Sequence, residues 1–153
     1  MQWEKCRGKV SKERVAFLEK RINISFPKSY IECMEECNGG VLRKRCFTYK
    51  FENERQTVDS IGVFLSLNQN EWADLLDIYE NPPEFFPKGI IAFGDTGGGD
   101  FICFDYRDNK TTNDPPIVCW NHEADVGKDV SFLANNFEDF LGMLKEPEEL
   151  PSF

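Results

Sequence analysis

The sequence lacks any long hydrophobic run: its uninterrupted apolar stretches are as short as 63–65 and 90–93. A membrane span needs roughly 18 such residues, so a spanning helix is not expected. Histidine is almost missing, with His122 alone, and no Cys-x-x-C pair occurs. Finger-like zinc spacing is therefore absent, and neither structural zinc nor Cys/His nucleophilic catalysis is expected. The chain has no excess of positive charge. Its net charge of -9 and pI of about 4.7 argue against nucleic-acid binding, which needs a basic face to neutralise phosphate. There is no internal repeat and no low-complexity block. Residues 1–9 hold no apolar core and no small-residue cleavage site behind it, so no secretory signal is read and the cytoplasm is the expected compartment.

What is present is the material of a packed domain. At 153 residues, with 41% hydrophobic residues and 14 Phe, the chain is expected to fold as one domain, its core spanning about residues 11–145 and an acidic tail, 146–153, fraying beyond it. Without a signal peptide the six cysteines, Cys6, Cys33, Cys37, Cys46, Cys103 and Cys119, are expected as free, mostly buried thiols. Cys33 and Cys37, four apart, fit one helix face. Charge is unevenly placed along the chain. Residues 1–50 carry 12 Lys and Arg against 6 Asp and Glu, whereas 51–153 carry 6 against 21. If that division survives folding, the later two-thirds presents a negative field that draws a basic partner; if the basic third folds back, it is partly neutralised.

Hydrophobic spacing orders the elements. Ser11 can cap a helix whose Val15, Leu18 and Ile22 form one stripe. Ser25-Phe26-Pro27 opens a second, with Tyr30, Ile31 and Met34 inward, and Asn38-Gly39-Gly40 closes it. Strands follow at 46–51 and 60–67, the second apolar enough to lie centrally in a sheet. Asn68 with Glu71 resembles a capping box for a third helix through Trp72, Leu75, Leu76 and Tyr79, broken at Asn81-Pro82-Pro83. Segments 90–94, 101–106 and 116–120 read as a meander of three strands. A last helix carries Leu133, Phe137, Phe140, Leu141 and Leu144, with Asp129 or Ser131 as cap. This order does not alternate strand and helix. It predicts an α+β fold, a mainly antiparallel sheet of about five to six strands packed with about four helices, and disfavours a doubly wound nucleotide fold.

Candidate chemistry is sparse. Gly94-Asp95-Thr96-Gly97-Gly98-Gly99-Asp100 lacks the Lys-Ser/Thr ending of a phosphate loop and precedes a strand, so a tight hairpin turn is the better reading. Asp95, Asp100, Asp105, Asp108 and Asp114 are hard oxygen donors, but the spacing of a calcium loop is absent. Trp120, next to Asn121, His122 and Glu123, is either an interface anchor or a core residue. No catalytic, cofactor-binding or metal-binding residue is assigned.

The pieces nevertheless match a known pattern in order. Leu18-Glu19, Phe26-Pro27-Lys28-Ser29-Tyr30 and Asn38-Gly39-Gly40 resemble the opening of the SUKH superfamily, Smi/Knr-like branch. Ile90-Ile91-Ala92-Phe93-Gly94-Asp95 with Gly98-Gly99-Asp100, then Phe101-Ile102-Cys103-Phe104-Asp105 and Ile117-Val118-Cys119-Trp120-Asn121-His122-Glu123, are similar to its central strands. Residues 133–141 resemble its terminal helix. Phe26 stands where the family usually has leucine, and residues 43–60 carry no matching signal.

The resemblance implies an α+β fold without a catalytic centre or cofactor, and an immunity role: binding and blocking a cognate toxin, often a nuclease, by protein–protein contact. Other members are regulatory or scaffold domains that bind a cellular protein, which is the alternative. An acidic inhibitor can occupy the basic cleft of a nuclease by mimicking phosphate charge. The partner-binding residues expected on this basis are Asp95, Asp100, Asp105, Asp108, Trp120 and Glu123, with no direct nucleic-acid or membrane contact.

Overall fold

A computed structural model describes residues 1–51, 55–69 and 74–150. The element order is β1 (Trp3–Lys5), α1 (Lys12–Ile22), α2 (Lys28–Glu36), β2 (Val41–Leu42), β3 (Cys46–Phe51), β4 (Arg55–Ser60), β5 (Val63–Phe64), α3 (Leu75–Glu80), β6 (Ile90–Asp95), β7 (Phe101–Asp105), β8 (Ile117–Trp120), β9 (Val130–Ala134) and α4 (Phe137–Met143). A short 3-10 turn, Pro147–Glu149, follows. Antiparallel strands β5-β6-β7-β8-β9 form the main sheet, and β1-β2 and β3-β4 form two small ones. The fold is the expected α+β class. Among the described residues no helix is long and apolar enough to cross a membrane.

Local chemistry explains most boundaries. Ser11 Oγ accepts from the Arg14 N–H, and Asn23 in the left-handed conformation ends α1. Helix α2 starts after Pro27 without a side-chain cap, rather than from Ser25; the Ser25 carbonyl instead accepts the Tyr106 hydroxyl at 2.7 Å and ties the α1–α2 turn to the end of β7. Between α2 and β2, Asn38 is buried, donating to Ser66 Oγ and accepting from the Leu67 N–H. Gly40 is needed next to it, because a Cβ there would lie 2.7 Å from the Lys5 carbonyl oxygen.

The core lies where helices cover the sheet and holds a cluster of aromatic rings. Tyr30 of α2 packs edge-on to Phe93, Phe104 and Phe137, while Phe93 stacks on Phe104 at 4.3 Å between centroids. Burial of several such rings stabilises by about 1.5–3 kcal/mol each through area alone. The Tyr30 hydroxyl is buried without a hydrogen-bond partner, and burial pushes its pKa well up.

Four expectations are corrected. The span read as one central strand, 60–67, is divided: Ser60 ends β4 of the hairpin, and β5 is only two residues at the end of the main sheet's order. Leu133 belongs to β9, where residues Val130 to Ala134 pair with β8, and Asn136, not Asp129 or Ser131, caps α4 through the Asp139 N–H. The third helix begins at Leu75, capped by Asp74; Glu71 of the expected capping box and Trp72 of the expected helix lie outside the described residues. Finally, Cys6 and Cys37 form a disulfide, their Cα atoms 5.4 Å apart, while Cys33, Cys46, Cys103 and Cys119 are free and buried. Chain spacing did not indicate this pair because the β1–β2 pairing brings the N-terminal segment past the end of α2, where the Asn38 N–H donates to the Gly8 carbonyl.

Candidate functional site

The β6–β7 hairpin and the β8–β9 connection emerge at the same end of the main sheet, because Asp95 pairs with Phe101 and Phe101 with Trp120. Asp100 enters β7 there, and Asn121, His122 and Glu123 follow β8. Phe51, Gly98, Asp100, residues 121–123, Ala124 and Asp125 line a cleft of about 470 Å3. Among the described residues, none of those lining it is a lysine or arginine.

Asp100 organises this end. Its Oδ1 accepts the His122 backbone N–H at 3.0 Å and meets His122 Nδ1 at 2.6 Å; its Oδ2 accepts from Asn121 Nδ2 at 3.3 Å. Asn121 Nδ2 also contacts the Tyr49 hydroxyl at 3.0 Å, which joins β3 to the cleft floor. The side-chain Oδ1 of Asn121, a residue only 9% exposed, has no hydrogen-bond partner, while its backbone carbonyl accepts from the Ala124 N–H. The other face of the His122 ring is covered by Gly99, whose φ is +99°; a Cβ there would sit 2.9 Å from His122 Cε1. Glycine is required on both counts. His122 Nε2 lies 3.7 Å from Glu123 Oε1, and Glu123 points largely into solvent.

The electrostatics under the cleft are unfavourable to more negative charge. Burial, together with repulsion from Asp100, raises the pKa of Asp59 on β4 despite the Ser60 N–H that bonds it. Burial pushes the Cys119 thiol up to about 12, and Asp100 and Asp59 push it the same way. Burial likewise raises the Tyr49 hydroxyl. The Cys119 thiol and the Tyr49 hydroxyl therefore stay protonated at neutral pH and supply no nucleophile. Among the described residues no group of three or more His, Cys, Asp or Glu could hold a metal ion.

The structure divides the sequence-derived candidates. Asp95 and Asp100 flank the β6–β7 turn, with Asp95 Oδ1 accepting from the Gly97 N–H, and of these two Asp100 lines the cleft together with Glu123. Asp105 and Asp108 sit at the far end of β7, about 17 Å away at strand rise. There Arg107 forks onto both carboxylate oxygens of Asp105 at 2.9 Å. Burial opposes the Asp105 charge, but the Arg107 side-chain and backbone hydrogen bonds outweigh it and hold the pKa below the ordinary carboxylate value. Trp120 is 2% exposed, packs against Phe86 and Phe101, and donates Nε1–H to buried Asp129. Of the two readings of Trp120, core residue or interface anchor, its burial is that of a core residue. Sequence reading missed Phe51, Tyr49 and Asp59, which arrive from the β3–β4 hairpin, and Asp125, whereas it notes Asn121 and His122 beside Trp120. Of the basic first third, Arg21 pairs with Glu80 and Arg43 with Glu146, away from the cleft lining.

With that geometry in place, comparison with known proteins gives two findings. The profile of the SMI1 / KNR4 family (SUKH-1) matches residues 9–143. The chain is also similar to the SPbeta prophage-derived uncharacterized protein YokK of Bacillus subtilis (strain 168), 26% identical over 157 residues, covering 90% of this chain and 76% of that protein.

Proposed function

The chain belongs to the SMI1 / KNR4 family (SUKH-1), and from that membership we propose that it is an immunity-type protein, binding a cognate toxin and blocking it by protein–protein contact. The observation that carries the reading on this chain is the cleft beside Asp100 and His122, whose lining among the described residues has carboxylates and no lysine or arginine. A nuclease-like toxin domain exposes cationic side chains to hold phosphate, and these are the complement of such a surface. The prophage origin named for the relative from Bacillus subtilis is in keeping with a role in conflict between bacteria. On this reading the partner-facing residues are Asp95, Asp100 and Glu123, joined by Asp125. The protein needs no catalytic residue or cofactor of its own to act in this way.

The test is capture of the tagged protein from the cells that make it, with elution over rising salt, followed by assay of whatever is bound. A basic nuclease-like domain that is released by salt and silenced by an equimolar amount of this chain is the expected result. Recovery only of a cellular protein, with no activity that the chain inhibits, would replace this reading with that of a regulatory or scaffold domain.

A further inference from the structure

The N-terminal strand lies over the end of α2, held by a short pairing and a disulfide. β1 pairs with the two-residue β2, Trp3 opposite Leu42 and Lys5 opposite Val41, with the register broken between them. Two strands this short are not stable as a pair on their own. Beyond that pairing, the Trp3 ring packs edge-on to Phe64 at 5.8 Å and its Nε1–H donates to Glu36 at 3.0 Å. The backbone carbonyls of Gln2 and Gly8 accept from the N–H groups of Arg43 and Asn38. The Cys6–Cys37 bond ties the segment covalently, and its two ends differ: Cys6 is exposed, whereas Cys37 is fully buried. What the segment covers is closely fitted. A Cβ on Gly40 would lie 2.6 Å from Cys37 Sγ, 2.7 Å from the Lys5 carbonyl oxygen and 2.9 Å from Trp3 Cε3, so disulfide, strand and ring meet over one glycine. Asn38 and Gly40 in turn accept from the Leu67 and Phe64 N–H groups, which joins this turn to β5 at the end of the main sheet's order.

We propose that β1 is a redox-controlled strap: with Cys6 and Cys37 joined it is clamped over Gly40 and Phe64, and a dithiol reductant opens it. The step is thiol–disulfide exchange. A thiolate of the reductant bonds to the sulfur of exposed Cys6, the Cys6–Cys37 bond breaks, and Cys37 leaves as a thiolate that takes up a proton. The reductant's second thiol then displaces Cys6, which is protonated in turn. Two electrons and two protons pass to the cysteine pair, and the reductant ends as a disulfide. An exposed partner is the mark of a labile bond rather than of a buried structural one. The tie joins a peripheral strand to the end of a helix, so breaking it removes no pairing of the five-stranded sheet. Opening uncovers Cys37 and the side of Phe64 beneath Trp3, and frees the edge of β2. The device belongs to the fold itself and does not depend on which partner the protein binds.

The test is alkylation of the full, natively folded chain by iodoacetamide, with the modified cysteines located by mass spectrometry. After oxidation by glutathione disulfide, neither Cys6 nor Cys37 is expected to react. After dithiothreitol both are expected to react, Cys37 no more than about tenfold slower than Cys6, while buried Cys46, Cys103 and Cys119 stay protected. Hydrogen–deuterium exchange is the second readout. Reduction, or Cys6→Ser at this exposed position, is expected to speed exchange by about tenfold or more at the Asn38 and Arg43 amides, which donate to the strap. Amides of 101–105 and 117–120 should be unchanged. Three results would overturn the proposal. Reactive thiols at Cys6 and Cys37 after oxidation would mean that the pair does not form. A reduced chain with Cys37 as protected as Cys103 and unchanged exchange would mean that the strap stays shut without its bond. Reaction of all six cysteines would mean that the bond holds the whole fold rather than the strap.

Discussion

The two ends of β7 hold carboxylates in opposite circumstances. At the Asp105 end, Arg107 from two residues away satisfies the charge with a forked pair, and the pKa is lowered. At the Asp100 end, the carboxylate is held by a histidine and an asparagine, a second acid is destabilised beneath it, and an amide oxygen goes unpaired. The first end is complete in itself. The second opens its carboxylates on a cleft whose described lining has no lysine or arginine, the complement of a cationic surface. Acidic residues alone would not distinguish these ends, since both are rich in aspartate. Their hydrogen-bond partners do.

The strongest way to break this comparison is charge reversal. Glu123→Lys/Asp125→Lys is expected to weaken partner binding by about a hundredfold, and Asp108→Lys by less than about threefold, read by titration calorimetry at fixed salt. Equal losses would erase the distinction between the ends. Next in size is stability. Asp100→Ala strands the Asn121 amide and the His122 N–H and is expected to cost about 2–3 kcal/mol in urea unfolding. Asp105→Ala removes a partly exposed ion pair and is expected to cost less than about 1 kcal/mol.

Gly99→Ala sharpens the geometry. It places a Cβ against the His122 ring at a positive φ, so a loss of about 1–2 kcal/mol is expected. The His122 resonances should shift, while those of Arg107 stay in place. The smallest effect concerns pH, and its signs differ between the ends. The Asp59 pKa is raised in the folded state, so its ionisation works against folding as pH rises. Asp59→Asn is expected to stabilise at pH 7, with the gain vanishing below about pH 4, where the carboxyl is protonated folded or unfolded. The Asp105 pKa is lowered, so its contribution is present above the ordinary carboxyl value and lost as pH falls through the folded one; Asp105→Asn should therefore destabilise at pH 7 and have little effect in acid. Unfolding curves of both variants across pH 3–7 check the pair.

Much of the fold was legible because its pattern is local. The span 46–51 alternates as a strand does and is β3; Ser11 and the 15-18-22 stripe give α1. What escaped was decided at long range. Arg55–Ser60 is too polar to read as a strand and exists by pairing with β3. Leu133 fits the helical spacing of Phe137 and Phe140, yet pairing with β8 claims it for β9. The site was legible in part. Asp95 and Asp100 follow from the glycine turn, and the length of β7 alone separates Asp105 from them. Tyr49, Phe51 and Asp59 could not be placed, since only the packing of the β3–β4 hairpin beside the main sheet brings them to Asn121. The Cys6–Cys37 bond escaped for the same reason.

The central claim is that the Asp100 end, and not the Asp105 end, meets the partner. Hydrogen–deuterium exchange of the chain, free and bound to the partner recovered from its own cells, addresses it most directly. Slowed exchange confined to the β6–β7 turn and residues 121–127, with residues 106–114 unchanged, is the expected result. Protection at residues 106–114 with none at 121–127 would contradict it.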